Sequence, residues 1–414
     1  VYKLNEPILI KGRRSYIIKN YHYHGGYVMV DDSLNRTGAS LLIDALQKNG
    51  INNLYGVVGI PITDLARLAE LRGMKYYGFR REDSAVNAAA AAGFLTKNPG
   101  VAMTVSAPGF LNGLTALAQA TKNCFPLIMI SGSSERHIID LSQGDYEGLD
   151  QYNVAKPFCK KAYRVDRAQD VGLAVARAIR TAVSGRPGGV YLDLPADTIA
   201  QLNDDLGEKN MGVYKLVDPA PLQEPSDDAI NRAVDIIKQA KKPLIILGKG
   251  AAYDRTEKQV QELINKTDIP FLPMSMAKGV VPDDDKHSAS AARSLSLKGA
   301  VVVLLIGARL NWMLSYGNAP QFNPDAKFIQ LDIDATQFDS AQKISAPLQG
   351  DLTSILNKLV PALTATGYKT PSDWLDAIAQ DTAKNDAKFA KRIKAGETNP
   401  EFGYYGAIEP INDY

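Results

Sequence analysis

Two acidic positions in this chain sit where a carboxylate can meet a ligand. In Phe79-Arg80-Arg81-Glu82-Asp83 an apolar run ends in an acidic pair that leads into the alanine-rich stretch 84–92. The helix dipole alone accounts for acids at a helix start. The small side chains beside them also allow close approach of a second chain or a flat ligand. The second position lies in Gly144-Asp145-Tyr146-Glu147, an irregular polar stretch. Tyr146 and Glu147 can order water or pass a proton there if sheltered, and are solvated surface if not.

Two further segments put glycine and proline where a strand turns into a helix. They are Tyr55-Gly56-Val57-Val58-Gly59-Ile60-Pro61 and Val105-Ser106-Ala107-Pro108-Gly109-Phe110-Leu111-Asn112-Gly113. Such turns bring backbone close to a ligand at the carboxyl end of a strand, and serve equally as tight turns with none. A third group comprises Gly185-Arg186-Pro187-Gly188-Gly189, Leu247-Gly248-Lys249-Gly250, Gly307-Ala308-Arg309 and Asp332. Glycine turns holding a basic residue suit phosphate, and an acid closing the next strand suits ribose hydroxyls. Gly248-Lys249-Gly250 lacks the third glycine of a dinucleotide fingerprint, and no Walker sequence occurs, so nucleotide pocket and plain turns both stay open. The four histidines, at 22, 24, 137 and 287, make no helical zinc pair, and no Gly-x-Ser-x-Gly elbow occurs. No metal site is assigned to these residues.

The elements that must carry these segments alternate from about Arg36 onward. Apolar runs at 53–58, 76–79, 101–105, 127–131 and 189–194 predict strands, and 39–49, 62–71, 82–96, 111–122 and 170–184 predict helices. Near-continuous apolar strands separated by helices predict a parallel sheet covered on both faces. A polar stretch rich in Asp, Pro and Gly at 199–222 reads as a linker. Beyond it the pattern repeats, with strands at 243–247, 270–273, 301–306 and 328–331. Helices are predicted at 226–240, 256–267, 288–298 and 352–365, and a charged helix at 372–395. The fold class is therefore α/β, two tandem doubly wound parallel-sheet domains, over 29–198 and 223–366, with a helical segment at 367–414. Residues 1–28, basic and tyrosine-rich without a sustained period, read as extra sequence outside the fold, or as a small edge hairpin around Gly25-Gly26.

Composition is that of a globular protein: 414 residues, 45% hydrophobic and 22% charged. A net charge of +2 gives no field for nucleic acid or an anionic membrane. No apolar run reaches the length of a membrane span. The two cysteines, Cys124 and Cys159, read as buried, reduced thiols of a cytoplasmic protein.

Taken in order, segments 55–61, 106–113, 131–136, 144–147, 184–189, 271–279 and 307–312 resemble thiamine-diphosphate-dependent enzymes of the acetolactate synthase/pyruvate decarboxylase superfamily. The likeness runs from about Leu34 onward and is greatest to the oxalyl-CoA decarboxylase family. It implies a pyrimidine-binding domain followed by a middle domain. The family's third, diphosphate-binding domain, which holds magnesium, would then be missing, leaving a chain inactive by itself. It implies decarboxylation of oxalyl-CoA to formyl-CoA and carbon dioxide, in oxalate degradation. Glu82 would engage the aminopyrimidine ring of the cofactor, with Ile60, Pro61 and Asn112 around it, while Tyr146 and Glu147 order water and handle protons. Arg186, Lys249, Arg309, Asp332 and Leu352 would bind ADP as an activator, where related synthases hold FAD. The resemblance also implies a homo-oligomer, a dimer or a dimer of dimers. Arg81 stands where relatives often have His, which leaves the surroundings of Glu82 open in detail. A 2-hydroxyacyl-CoA lyase, or a nucleotide-binding regulatory protein without catalysis, are the alternatives; Tyr146 favours the oxalyl-CoA family, because the lyases usually carry another residue there.

Overall fold

The computed structural model describes residues 9–10, 13–14, 37–145, 147–201, 212–397, 403–407 and 411. Tyr146, most of 1–28 and the hairpin expected at Gly25-Gly26 lie outside these. Within that early segment, β1 (Leu9–Ile10) pairs antiparallel with β2 (Arg13–Arg14). The chain then divides at Pro221/Leu222 into two units.

The first unit is built on a six-stranded sheet. Its strands are β3 (Asn53–Val57), β4 (Lys75–Gly78), β5 (Gly100–Thr104), β6 (Leu127–Ser133), β7 (Lys161–Arg164) and β8 (Gly189–Pro195), in the order β4-β3-β5-β6-β8-β7. All neighbours pair in parallel. Every residue of β5, β6 and β8 is buried, which is why these strands read as unbroken apolar runs. The helices are α1 (Gly38–Lys48), α2 (Thr63–Leu71), α3 (Glu82–Thr96), α4 (Pro108–Lys122), α5 (Arg136–Asp140), α6 (Gln151–Ala155), α7 (Val171–Val183) and α8 (Ala196–Ala200). One core layer joins Leu42, Leu46, Val175 and Ile179 to Ile128 and Ile130, and the other joins Val86, Phe110 and Leu117 to Ala102 and Met129. At Gly100 a Cβ would lie 1.8 Å from the Ala89 carbonyl oxygen, so only glycine lets α3 press this closely on β5.

β3 connects outward to β4, and the chain then crosses to lay β5 on the other side of β3. Strand order therefore reverses between β3 and β5, which opens a crevice at their carboxyl ends.

The second unit repeats the plan. Strands β9 (Pro243–Leu247), β10 (Phe271–Pro273), β11 (Val302–Ile306), β12 (Lys327–Asp332) and β13 (Ile344–Gln349) lie in the order β10-β9-β11-β12-β13, all parallel. Here the reversal falls between β9 and β11. The helices are α9 (Asp227–Ile237), α10 (Lys249–Tyr253), α11 (Glu257–Thr267), α12 (Arg293–Gly299), α13 (Leu352–Thr364) and α14 (Ser372–Glu397). α14 is pinned where Trp374 packs on Gly299 and donates its indole N–H to the Pro243 carbonyl, 2.9 Å away.

Three local expectations change. The helix expected over 288–298 begins only at Arg293, because His287 and Ala289 exchange backbone hydrogen bonds with Phe271 of β10. Within 199–222, Val213 and Leu216 pack on the core of the first unit. Cys124 and Cys159 are free thiols but only partly buried.

Candidate active site

The crevice of the first unit is formed by the turns that follow β3 and β5. Gly59 and Gly109 approach the same Val105 side chain: a Cβ on Gly59 would meet Val105 Cγ2 at 2.6 Å, and one on Gly109 would meet Cγ1 at 2.3 Å. These glycines draw the Ile60–Pro61 turn and the start of α4 together around one valine. Gly132, at the end of β6, lies under Pro61, whose Cδ would be 2.4 Å from a Cβ there. Ile60 is left 66% exposed at the mouth.

Glu82 is the first residue of α3 and is buried. Asn112 donates its side-chain amide to Glu82 Oε2 at 3.1 Å. The other oxygen faces Gly109, where a Cβ would stand 3.2 Å from it. A carboxylate is thus held by one donor, sheltered from bulk water and flanked by a residue with no side chain.

Ser106, fully buried, contacts both the Ile60 carbonyl oxygen, at 3.1 Å, and the Glu147 carboxylate. Glu147 is itself buried. Ile60, Pro61, Glu82, Asn112 and Glu147 therefore belong to one set of linked turns. Nothing is described of Tyr146.

Sequence reading gave no role to Ser106 as a link, to Gly132, or to Gln151. Gln151 accepts the Ala107 backbone N–H and donates to the Gly132 carbonyl at 2.9 Å and the Tyr191 hydroxyl at 3.0 Å. Behind it, Asp193 meets Arg164 at 2.8 Å, and Arg164 reaches Asp150 at 2.6 Å. Burial pushes the Asp193 carboxyl up, with Arg164 opposing it. Burial also pushes the Tyr191 hydroxyl well up, so it stays a neutral donor.

In the second unit the turns after β9 and β11 pack backbone on backbone. A Cβ on Gly248 would lie 2.1 Å from the Gly307 carbonyl oxygen, and one on Gly250 would lie 2.8 Å from the Gly307 Cα. Gly307 has φ +59, a region that favours glycine. This places Lys249 and half-buried Arg309 after neighbouring strands, with Asp332 closing the next one. Asp332 is buried and accepts the Asp334 N–H at 3.1 Å. The Leu352 side chain belongs to the core, so what it can offer a ligand is backbone. Arg186 lies in the first unit, where its guanidinium sits 3.0 Å from Cys124 Sγ.

The stretches that carry the sheltered carboxylate and the basic glycine turns match two domain models of thiamine pyrophosphate enzymes. Residues 36–154 match "Thiamine pyrophosphate enzyme, N-terminal TPP binding domain", and residues 230–359 match "Thiamine pyrophosphate enzyme, central domain". The chain belongs to the thiamine-diphosphate-dependent enzymes. Among its relatives is oxalyl-CoA decarboxylase of Escherichia coli (strain K12), 49% identical over 385 residues, or 93% of this chain and 68% of that protein. 2-hydroxyacyl-CoA lyase 1 of Homo sapiens is 35% identical over 91% of this chain and 64% of its own length. The 2-hydroxyacyl-CoA lyase of Oryza sativa subsp. japonica is 38% identical over 86% and 63%. Among the described residues no helix is long and apolar enough to cross a membrane.

The first crevice fits the aminopyrimidine end of thiamine diphosphate. That ring needs a hydrogen-bonding carboxylate at its edge, and buried Glu82, held by Asn112, would offer one.

Proposed function

We propose that the chain provides the pyrimidine-side wall and the nucleotide-binding middle domain of a thiamine-diphosphate-dependent oxalyl-CoA decarboxylase. One observation carries this reading: the buried Glu82 carboxylate, held by Asn112 against a residue without a side chain, at the point where strand order reverses. When bound, the cofactor supplies a nucleophilic carbon and an electron sink for loss of carbon dioxide. Glu82 holds the proton at the pyrimidine edge, and Asn112 fixes which oxygen does so. Ile60 gives the mouth an apolar lip that excludes water. In this reading Glu147, which with the Ile60 carbonyl contacts Ser106, would give a proton to the carbon that has lost carbon dioxide.

The remaining assignments belong to the same proposal. Magnesium and the cofactor's diphosphate are assigned to the family's third domain, outside the two matched here. Lys249, Arg309 and Asp332 hold ADP by its phosphates and ribose, and the working protein is a cytoplasmic homo-oligomer. The greater identity to the decarboxylase supports oxalyl-CoA as substrate; the lyase relatives support a second reading, cleavage of longer 2-hydroxyacyl-CoA.

The deciding experiment supplies the chain with a diphosphate-binding domain of the family, thiamine diphosphate and magnesium, and offers both acyl-CoA classes. Carbon dioxide and formyl-CoA from oxalyl-CoA support the first reading. Turnover of the 2-hydroxyacyl-CoA alone replaces it with the second. The two units without that domain are expected to release no carbon dioxide.

A further inference from the structure

We infer that Gln151 is a positioning residue: its side-chain amide ties the β5–α4 turn, at Ala107, to the end of β6, at Gly132, beneath the candidate active site. The inference rests on the reading of that site given above.

The amide can be placed only one way. The Ala107 N–H is a donor and the Gly132 carbonyl an acceptor, so Oε1 must face Ala107 and Nε2 must face Gly132. Nε2 also reaches the Tyr191 hydroxyl, and Asp193 Oδ1 lies 3.4 Å away. Gln151 is 1% exposed, so water does not compete for these groups.

Ala107 and Gly132 each adjoin a part of the site. Ala107 precedes α4 with φ +41, a backbone region that residues with a side chain rarely adopt. Its neighbour Ser106 holds the Glu147 carboxylate, and α4 carries Gly109 and Asn112 against Glu82. Gly132 supports the Pro61 ring. Glu147 and Gln151 lie on one wound segment, in which Leu149 N donates to the Glu147 carbonyl at 2.7 Å and Gln151 N to the Leu149 carbonyl at 2.8 Å. Two adjacent residues of the β5–α4 turn, Ser106 and Ala107, are therefore gripped by the two ends of this segment. A side chain that only filled space would not need both a donor and an acceptor here, nor the Asp193–Arg164–Asp150 chain behind it.

Hydrogen exchange read by mass spectrometry on the 414-residue chain tests this without cofactor, with the Ala107 amide as reporter. Gln151→Met keeps the volume but removes the acceptor, and should lower protection in peptides spanning 105–112 by about tenfold while β3, β5 and the second unit are unchanged. Gln151→Glu keeps the acceptor for the Ala107 N–H but loses the donor to Gly132 and sets a carboxylate near Asp193, so it should protect 105–112 better than Gln151→Met while peptides at the end of β6 lose protection. Unchanged protection of 105–112 in Gln151→Met would overturn the inference, as would unchanged protection at the end of β6 in Gln151→Glu. If Gln151→Met unfolds the chain, Gln151→Glu decides alone, loss at the end of β6 with 105–112 kept supporting the role and any other pattern refuting it. In the enzyme completed with the third domain, Gln151→Met should lower kcat about tenfold with KM within about twofold; a rise in KM alone would refute a positioning role. Because the exchange result needs no cofactor, failure of this inference is distinguishable from failure of the functional reading.

Discussion

Asn112 donates to Glu82 Oε2 across 3.1 Å, joining the second turn of α4 to the first residue of α3. That donor engages Oε2 and leaves Oε1 facing Gly109. Glu82→Gln keeps the shape and removes the charge, so the fold should lose no more than about 1 kcal/mol of helix-terminus stabilisation. Turnover in the completed enzyme should fall by about a hundredfold or more, as expected when a group acting in proton transfer is lost. Thermal melts and steady-state rates on the same preparation check both halves.

Gly109→Ala should be felt twice. The new methyl overlaps Val105 Cγ1 at 2.3 Å and crowds Glu82 Oε1 at 3.2 Å. Urea unfolding should show a loss of about 1–3 kcal/mol. Affinity for thiamine diphosphate in the completed enzyme should fall with it, because relieving the overlap shifts the start of α4 against Glu82.

In the second unit, calorimetric titration should detect ADP, and Lys249→Ala should weaken it about tenfold, or about 1.4 kcal/mol. Gly248→Ala differs in kind, because its methyl meets the Gly307 carbonyl at 2.1 Å, backbone that cannot swing aside. It should abolish ADP binding and lower stability together. Binding of FAD in place of ADP would redirect the assignment of this pocket.

Acid should weaken the second unit through Asp268. Lys369 Nζ lies 2.7 Å from one of its oxygens and His287 Nε2 3.2 Å from the other. Burial pushes this carboxyl up, but the hydrogen bonds from Lys369 and His287 outweigh it and hold it below its usual range. A carboxylate whose folded pKa is depressed contributes fully above its unfolded value, about 3.9, and loses that contribution as pH falls through the folded value. Urea midpoints for the second unit should therefore drop below about pH 4. Asp268→Asn should flatten that part of the curve while costing about 0.2–1 kcal/mol at neutral pH.

The sheet centres were legible because central parallel strands are buried on both faces and read as apolar runs, as in the five buried residues of β9 and of β11. The edges were not. β7 is Lys-Ala-Tyr-Arg, with only Ala162 buried, and β13 alternates and contains Pro347, tolerable because an edge strand leaves one side unpaired. The same contrast holds at the site. Glu82 announces itself as an acid at the start of a helix, and Asn112 follows a strand-turn-helix signal. Gln151 gives no local sign, since its partners lie 44, 19 and 40 residues away in sequence and meet it only after folding.

The repeated strand order bears on how such a chain can diversify. Each unit has its own two core layers, drawn from strands and helix faces, while the proposed ligand groups stand at or beyond the strand ends. Lys249 and Arg309 lie outside the cluster that packs Leu304 and Ile306, so substitutions there leave that core as it is. Glu82 has no such freedom, because Asn112, Gly109 and Val105 constrain one another around it. If the middle unit binds a nucleotide as proposed, its turn residues are the part of this chain that can change with least cost to packing.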